Sequence, residues 1–392
     1  MMRLPIVSAI FRKEMLDLVR DRRTLISMVV VPVLLVPLLL NVSTRLMSRM
    51  QENAEQEARS MAVAVKATTP ALRQALEKAQ IQIVERDDLK DAVLKKSVAA
   101  GVEEIPGTPV EVQIYVDNSN PTSTAAAARV RGALDDLKDE KVRESLQNSG
   151  IPASVLTPFV IKRTNIAGAR KMAGMAWGSI LGYLLLLMMF TGGMYPIIDM
   201  TAGEKERKTM EALLASPASR MEIVLGKNFA AMTAILITAI LTLGSLVYSL
   251  KSNNLKSKTP EVQEMMATIP LDAHTLTLIA VTLVPLAMFA ASLMFAIALF
   301  ARSYKEGQSY LMPLLMVVIF PALMGGLSGM QMTPALCLIP IFNVSQMLRG
   351  ILLGDFTTMN FAITTGANLL YAGIAFVVAS RQFENENVLF RS

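Results

Sequence analysis

The chain has 392 residues, of which 53% are hydrophobic and 18% charged. A soluble domain carries roughly 25% charged residues, so this composition describes a polytopic membrane protein. The net charge of +6 does not point to nucleic acid, because the positive residues cluster at the ends of apolar segments. One histidine (His274) excludes motifs that need two, and one cysteine (Cys337) excludes an intramolecular disulfide. Gly226-Lys227 is followed by Asn228 and lacks the earlier glycine of a phosphate-binding loop, so ATP chemistry would need another chain.

In residues 4–22, Val7, Ile10, Phe11, Met15 and Leu18 fall on one helical face. This suits a helix lying in the membrane interface, the alternative being a helix that runs straight into the first span. Spans are expected near 24–42, 173–197, 229–250, 275–300, 309–329 and 357–379, where apolar runs approach the roughly 20 residues a bilayer needs. The first is too long for a signal-peptide core and lacks a small-residue cleavage site, so it reads as an uncleaved anchor.

Residues 43–171 are expected to form an α+β domain. Strands are predicted at 61–66, 81–85, 98–105, 110–116 and 159–162, and helices at 70–80, 89–96 and 123–148. Asp117 to Pro121 reads as a turn and helix start.

Segment 199–228 is densely charged between two apolar runs. Within it, Gly203 to Leu214 suits a short amphipathic helix ended by Ser216-Pro217. Its Met210, Leu213 and Leu214 are expected to insert as a ridge into a partner's groove while the flanking charges orient it; a solvated loop is the alternative. After the fifth span, 333–340 is apolar, short and bracketed by Pro334 and Pro340. It reads as part of a re-entrant outer segment within 330–356, with a seventh span as the alternative.

Basic residues set the orientation. Segments 1–23, 199–228, 301–308 and 380–392 hold six, five, two and two Lys or Arg, against three and one in 251–274 and 330–356. Both termini are therefore expected in the cytoplasm and 43–171 outside it.

Glu204, Glu206, Arg207, Thr209, Glu211, Leu213, Leu214, Ser216, Pro217, Arg220, Gly226 and Lys227 reproduce a Glu-x-Glu-Arg, Thr-x-Glu-x-Leu-Leu, Ser-Pro, Arg, Gly-Lys pattern. This resembles the signature loop of the type 2 family of ABC export permeases. Phe300 to Tyr310, Ile339 to Ser345 with Gly350 to Gly354, and the Tyr115 to Ser119 turn are similar to its sodium-efflux branch. Lys208 departs from the pattern, standing where the family has glycine.

The resemblance implies a bacterial inner-membrane subunit that pairs with a second copy or a paralogue and docks a cytoplasmic ATPase, where ATP and Mg²⁺ would bind. It makes 199–228 the coupling loop and residues 1–23 the connecting helix. Glu204, Glu206, Arg207, Thr209, Glu211, Leu213 and Leu214 become the coupling residues, with Glu204, Arg207 and Glu211 touching the ATPase. No cofactor is expected in this chain.

The span interiors lack acidic and basic residues, so a passing sodium ion would be hydrated or held by neutral oxygens. Candidates are Thr191, Thr238, Thr242, Asn360, Thr364, Thr365 and Asn368, with helix–helix hydrogen bonding as their ordinary alternative. Export of a lipid, peptide or drug stays open, as does mechanical action on an outside partner. A membrane enzyme is disfavoured by the lone His274 and the missing Gly-x-Ser-x-Gly. Gly174, Gly178 and Gly182 permit close helix packing, Trp177 suits an interfacial anchor, and the prolines of the spans suit kinks.

Overall fold

The computed structural model of the chain describes residues 3–107, 110–149, 169–251, 272–324 and 332–385. The chain divides into two compact units, Met1–Asn41 with Asn165–Ser392, and Val42–Thr164.

In the first unit, six helices are long and apolar enough to cross a membrane: Arg22–Leu39, Ile180–Glu206, Arg220–Ser249, Ala273–Ala298, Tyr304–Met324 and Thr358–Glu384. The protein is thus an α-helical integral membrane protein with six candidate spans. The second, third and fourth spans are 67%, 50% and 61% buried, against 28% for the other three. The middle three form the centre, and the others leave Leu34, Phe320 and Leu370 facing outward as a lipid-bathed surface requires.

The centre is packed at backbone range. A Cβ on Gly192 would lie 2.4 Å from Thr238 Oγ1, and one on Gly193 2.5 Å from Ile235 Cγ1. Glycine here lets the second and third spans approach more closely than any side chain allows.

The third span starts at Arg220 rather than near 229, because its charged first turns are neutralised within the fold. Ser219 and Glu222 form a capping box: Ser219 N–H donates to Glu222 Oε2 (2.8 Å) and Glu222 N–H to Ser219 Oγ (3.3 Å). The fifth span likewise starts early, at Tyr304. Its expected end at 325–329, most of loop 251–274 and the predicted strand at 159–162 lie outside the described residues.

The first span is π-helical over Ile26–Leu35 around Pro32, whose carbonyl accepts from Ser245 Oγ of the third span (2.9 Å). The preceding helix Leu4–Arg20 does not run into it. Asp21 breaks the chain and caps the next turn, accepting from the N–H groups of Arg23 and Thr24 (both 3.1 Å). Val7, Ile10 and Leu18 are buried by the protein itself, not left for lipid as expected; Leu4, Leu16 and Val19 remain exposed.

Beyond the fifth span the structure has a turn, the 3₁₀ element Leu336–Leu338 and a helix, Phe342–Leu353. Its 12 residues span about 18 Å, too short to cross a bilayer. Ile341 turns the chain into it at φ 72° and ψ −54°, with Phe342 N–H donating to Pro340 O (2.8 Å), a γ-turn rare for a β-branched residue. The helix beds on the second span. A Cβ on Gly178 would meet Arg349 Cγ at 3.0 Å, and one on Gly182 would meet Ser345 Oγ at 3.2 Å, so these two glycines serve intramolecular packing. The side chain of Trp177 lies outside the description.

In the second unit the order is β1 (Val63–Lys66), helix Pro70–Lys78, β2 (Ile83–Glu85), helix Leu89–Leu94, β3 (Ala100–Ile105), β4 (Glu111–Tyr115) and helix Pro121–Asn148. Helix Val36–Ser60 carries the chain into this unit. The sheet runs β2-β1-β3-β4, with β1 parallel to both neighbours and β3 antiparallel to β4.

Alternate residues of a strand face opposite sides. Val63, Val65 and Val102 pack with Leu72, Leu76, Ala126 and Val130, while Ala64 packs with Leu89, Ala92, Val93 and Val98. Asn120 caps the last helix, accepting from Thr122 N–H (3.0 Å) ahead of the favourable Pro121.

Candidate coupling site

The charged segment after the second span is mostly helical. Asp199–Gly203 is π-helical, Glu204–Glu206 continues it, and a turn at Lys208 leads into Thr209–Leu214. Lys208 sits at φ 59° and ψ 17°, in the left-handed region that glycine occupies without strain. The departure from the family pattern therefore keeps the glycine-type turn. Lys208→Gly is expected to raise stability by roughly 0.5–1 kcal/mol, read as a higher apparent Tm in detergent; a lower one would contradict the strain.

The elements sort the coupling candidates into two sides. Met210 is buried, and Leu213 and Leu214 are half-buried against the main core. The apolar ridge expected to enter a partner points into this chain instead, since a 6-residue helix needs an anchor of its own. The outward side presents Arg207, Lys208, Thr209, Glu211 and Ala212. Arg207 pairs with Asp199 at 2.7 Å, and Thr209 Oγ1 donates to Glu204 O at 3.3 Å.

Glu204 lies on the inner side, 3% exposed, and is not presented to a partner. It belongs to a buried ionic network. Lys227 Nζ, wholly buried, is 2.8 Å from both Glu14 Oε1 and Glu204 Oε2 and donates to Met200 O at 3.0 Å. Lys13 Nζ closes the ring, 2.7 Å from Glu204 Oε1 and 3.0 Å from Glu14 Oε1, with Asp17 at 3.4 Å. Burial alone would lower the Lys13 pKa, but Glu14 and Glu204 outweigh it and hold the ammonium above the usual lysine range. Two lysines and two glutamates make the core of this network neutral. It ties the N-terminal helix, the charged segment and the third span together.

Gly226, beside Lys227, makes this closure possible. A Cβ there would lie 2.7 Å from Ile10 Cγ2 and 3.1 Å from Val7 O, on the N-terminal helix. Gly226→Val is expected to push that helix away and cost roughly 1–3 kcal/mol, read as a fall in apparent Tm. An unchanged Tm would contradict the packing. Arg3 adds a further tie to the third span, pairing with Glu222 at 3.0 Å.

The segment also clamps the junction of the fourth and fifth spans. Lys205 Nζ donates to Leu299 O and, at 3.4 Å, to Ala301 O, where the fourth span ends. Glu206 Oε2 accepts from Tyr304 N–H at 2.7 Å, where the fifth begins. A cation on carbonyl ends and a carboxylate on an N–H end both suit the helix dipoles. Arg23 lies over the Tyr304 ring at 6.0 Å.

Sequence reasoning nominated Glu204, Glu206 and Lys227 but missed Lys13 and Glu14 as their partners. Glu14, four residues from both Ile10 and Leu18 on the apolar face of residues 4–20, was the available signal. Ser219-x-x-Glu222 was a legible capping box that also went unread.

The path candidates fall in two groups. Thr191, Thr238 and Thr242 donate to the carbonyls of Leu187, Ala234 and Thr238 in their own helices (2.7, 2.9 and 2.7 Å). Asn360 Nδ2 donates to Met332 O and Asn368 Nδ2 to Thr364 O, both at 2.8 Å, on the sixth span. Asn368 Oδ1, Thr364 Oγ1 and Thr365 Oγ1 have no hydrogen-bond partner among the described residues.

Six candidate spans with a charged helical platform packed against them have the architecture of a membrane permease subunit. Residues 8–382 match the family described as ABC-2 family transporter protein, and the chain belongs to that family. It is similar to the ABC transporter permease protein NatB of Bacillus subtilis (strain 168), with 26% identity over 389 residues, covering 96% of this chain and 97% of that protein.

Proposed function

We propose that this chain is the membrane-spanning subunit of an ATP-driven exporter of a bacterial inner membrane, coupled to a separate cytoplasmic ATPase and exporting sodium. Both termini and the charged platform face the cytoplasm, Val42–Thr164 lies outside, and a second copy or a paralogue completes the permease. ATP and Mg²⁺ are held by the ATPase. The permease needs only a surface that receives its motion and spans that respond.

The observation that carries this reading is the two-sidedness of the platform. Arg207, Lys208 and Glu211 face outward, while Glu204 beneath them is locked to Lys13, Lys227 and Glu14. A push on the outer side reaches the N-terminal helix and third span through the ion pairs. It reaches the junction of the fourth and fifth spans through Lys205 and Glu206. A buried, hydrogen-bonded network is stiff enough to pass such a displacement on.

A second reading, export of an amphiphile, is favoured by one observation. Leu236, Ile240, Leu243, Leu276 and Val284 line an apolar groove of about 620 Å³ between the third and fourth spans. The two are separated by co-expressing the tagged chain with its candidate ATPase and measuring ATP-driven uptake of sodium and of a fluorescent lipid in inverted vesicles. Sodium uptake is expected; lipid movement without sodium uptake would replace the first reading by the second.

A further inference from the structure

Helix Leu4–Arg20 has two unlike faces. Val7, Ile10, Glu14 and Leu18 are buried against the rest of the membrane unit. On the opposite side, Arg12, Leu16, Val19 and Arg20 fall within about 100° of the circumference at 3.6 residues per turn, and all four are exposed. Leu16 is 56% and Val19 60% exposed. No acidic residue shares that face; Asp17 lies beyond it and pairs with Lys13 at 3.4 Å.

The arginines there differ from the basic residues around them. Arg3, Lys13, Arg207 and Lys227 each pair with a carboxylate within 3.0 Å. Arg12, Arg20 and the exposed Arg22 have no ion-pair partner among the described residues. Arg22 opens the first span one turn ahead of Ile26, and Ile26, Val30 and Leu34 are exposed at successive turns of it. Exposed aliphatic residues thus continue along the chain from the first span into the helix before it, there interleaved with arginines. A surface of this make-up suits the membrane boundary, where apolar groups enter the acyl layer and cations meet anionic headgroups. The guanidinium fork also matches phosphate oxygens bidentately.

Resting on the reading that residues 1–23 face the cytoplasm, whose leaflet is negative, we infer that Arg12, Arg20 and Arg22, with Leu16 and Val19, bind the headgroups of anionic phospholipids. Bound lipid would take the outer face of the helix whose inner face gives Glu14 to Lys227, so this helix is tied to lipid on one side and to the buried network on the other. An acidic surface of the ATPase is the competing occupant. Continuity of the apolar residues with the first span favours lipid.

The test titrates the full chain, delipidated in a neutral detergent, into fluorescent phosphatidylglycerol or fluorescent phosphatidylcholine and reads apparent Kd by anisotropy. Wild type is expected to prefer phosphatidylglycerol, and the preference should shrink at high salt. Arg12→Gln, Arg20→Gln and Arg22→Gln should each weaken phosphatidylglycerol binding about fivefold. Phosphatidylcholine binding and apparent Tm should stay at the wild-type values, because the three side chains are exposed and unpaired. Lys208→Gln, a charge removed from the platform instead, should keep the preference. Equal affinity of wild type for the two lipids, or a preference that survives the triple variant, would overturn the site. Loss of ATPase copurification from the triple variant with the preference intact would overturn it too and hand the surface to the ATPase. A detergent titration has no inside or outside, so an N-terminus found outside the cell would sink the cytoplasmic reading and leave the binding result standing.

Discussion

Lys227→Met is expected to destabilise the membrane unit by roughly 3–5 kcal/mol, the range for breaking a buried ion pair from one side. Lys227 is wholly buried and neutralises two carboxylates at once, each at 2.8 Å. Methionine matches its length but leaves Glu14 and Glu204 facing each other with only Lys13, whose side chain is 47% exposed, to balance them. Two buried carboxylates sharing one half-solvated partner cannot both stay charged without loss. The apparent Tm in detergent should drop by roughly 10 °C for a unit of this size. Adding Glu14→Gln should recover part of the loss, because it removes the charge left unpaired. A Tm within 2 °C of wild type in the single variant, on the order of the smallest shift expected per kcal/mol, would show that the network does not hold these elements together.

Glu211→Arg should do the opposite: leave the fold alone and abolish coupling. Glu211 is exposed, and among the described residues no ion pair to it is present. Its reversal should change stability by less than about 0.5 kcal/mol. If the outward side of the platform is the ATPase contact, the same change places a like charge in an interface. That typically costs roughly 2–5 kcal/mol of affinity when the contact is desolvated. The ATPase should then no longer copurify with the tagged chain, while membrane insertion and apparent Tm stay normal. Normal copurification would move the docking surface elsewhere.

Between 61 and 148 the elements of the second unit were readable, whereas the run of helix Val36–Ser60 past the first span was not. Alternation in 61–66 and 110–116 and the turn at Asp117 to Pro121 carry their own local physics, and the strands and helices lie within a few residues of expectation. The six spans were legible for the same reason, since length and apolarity are local properties. Helix Phe342–Leu353 was not. Asn343, Gln346 and Arg349 recur at helical spacing, but all three are buried, so the polar stripe marks contacts within the protein and does not announce a solvent face.

The platform was legible as a charged helical segment but not in its orientation. Leu213 and Leu214 look like a ridge for a partner until Met210 is seen anchoring the same helix inward. Glu204 looks like a surface charge until Lys13 and Lys227, from two distant parts of the chain, are brought to 2.7 and 2.8 Å from it. Tertiary partners, not local sequence, decide which charges face out. Gly226 shows the converse: its need for a close neighbour is written in the residue, but Ile10 as that neighbour is not.

The most direct test of the central claim is ATP-driven sodium movement in proteoliposomes holding this chain and its ATPase, with Glu211→Arg as the coupled control. Sodium flux that requires ATP and disappears in the variant is the predicted result. ATP hydrolysis by the assembled complex with no sodium movement in wild type would contradict sodium export, and undiminished flux in the variant would contradict coupling through the platform.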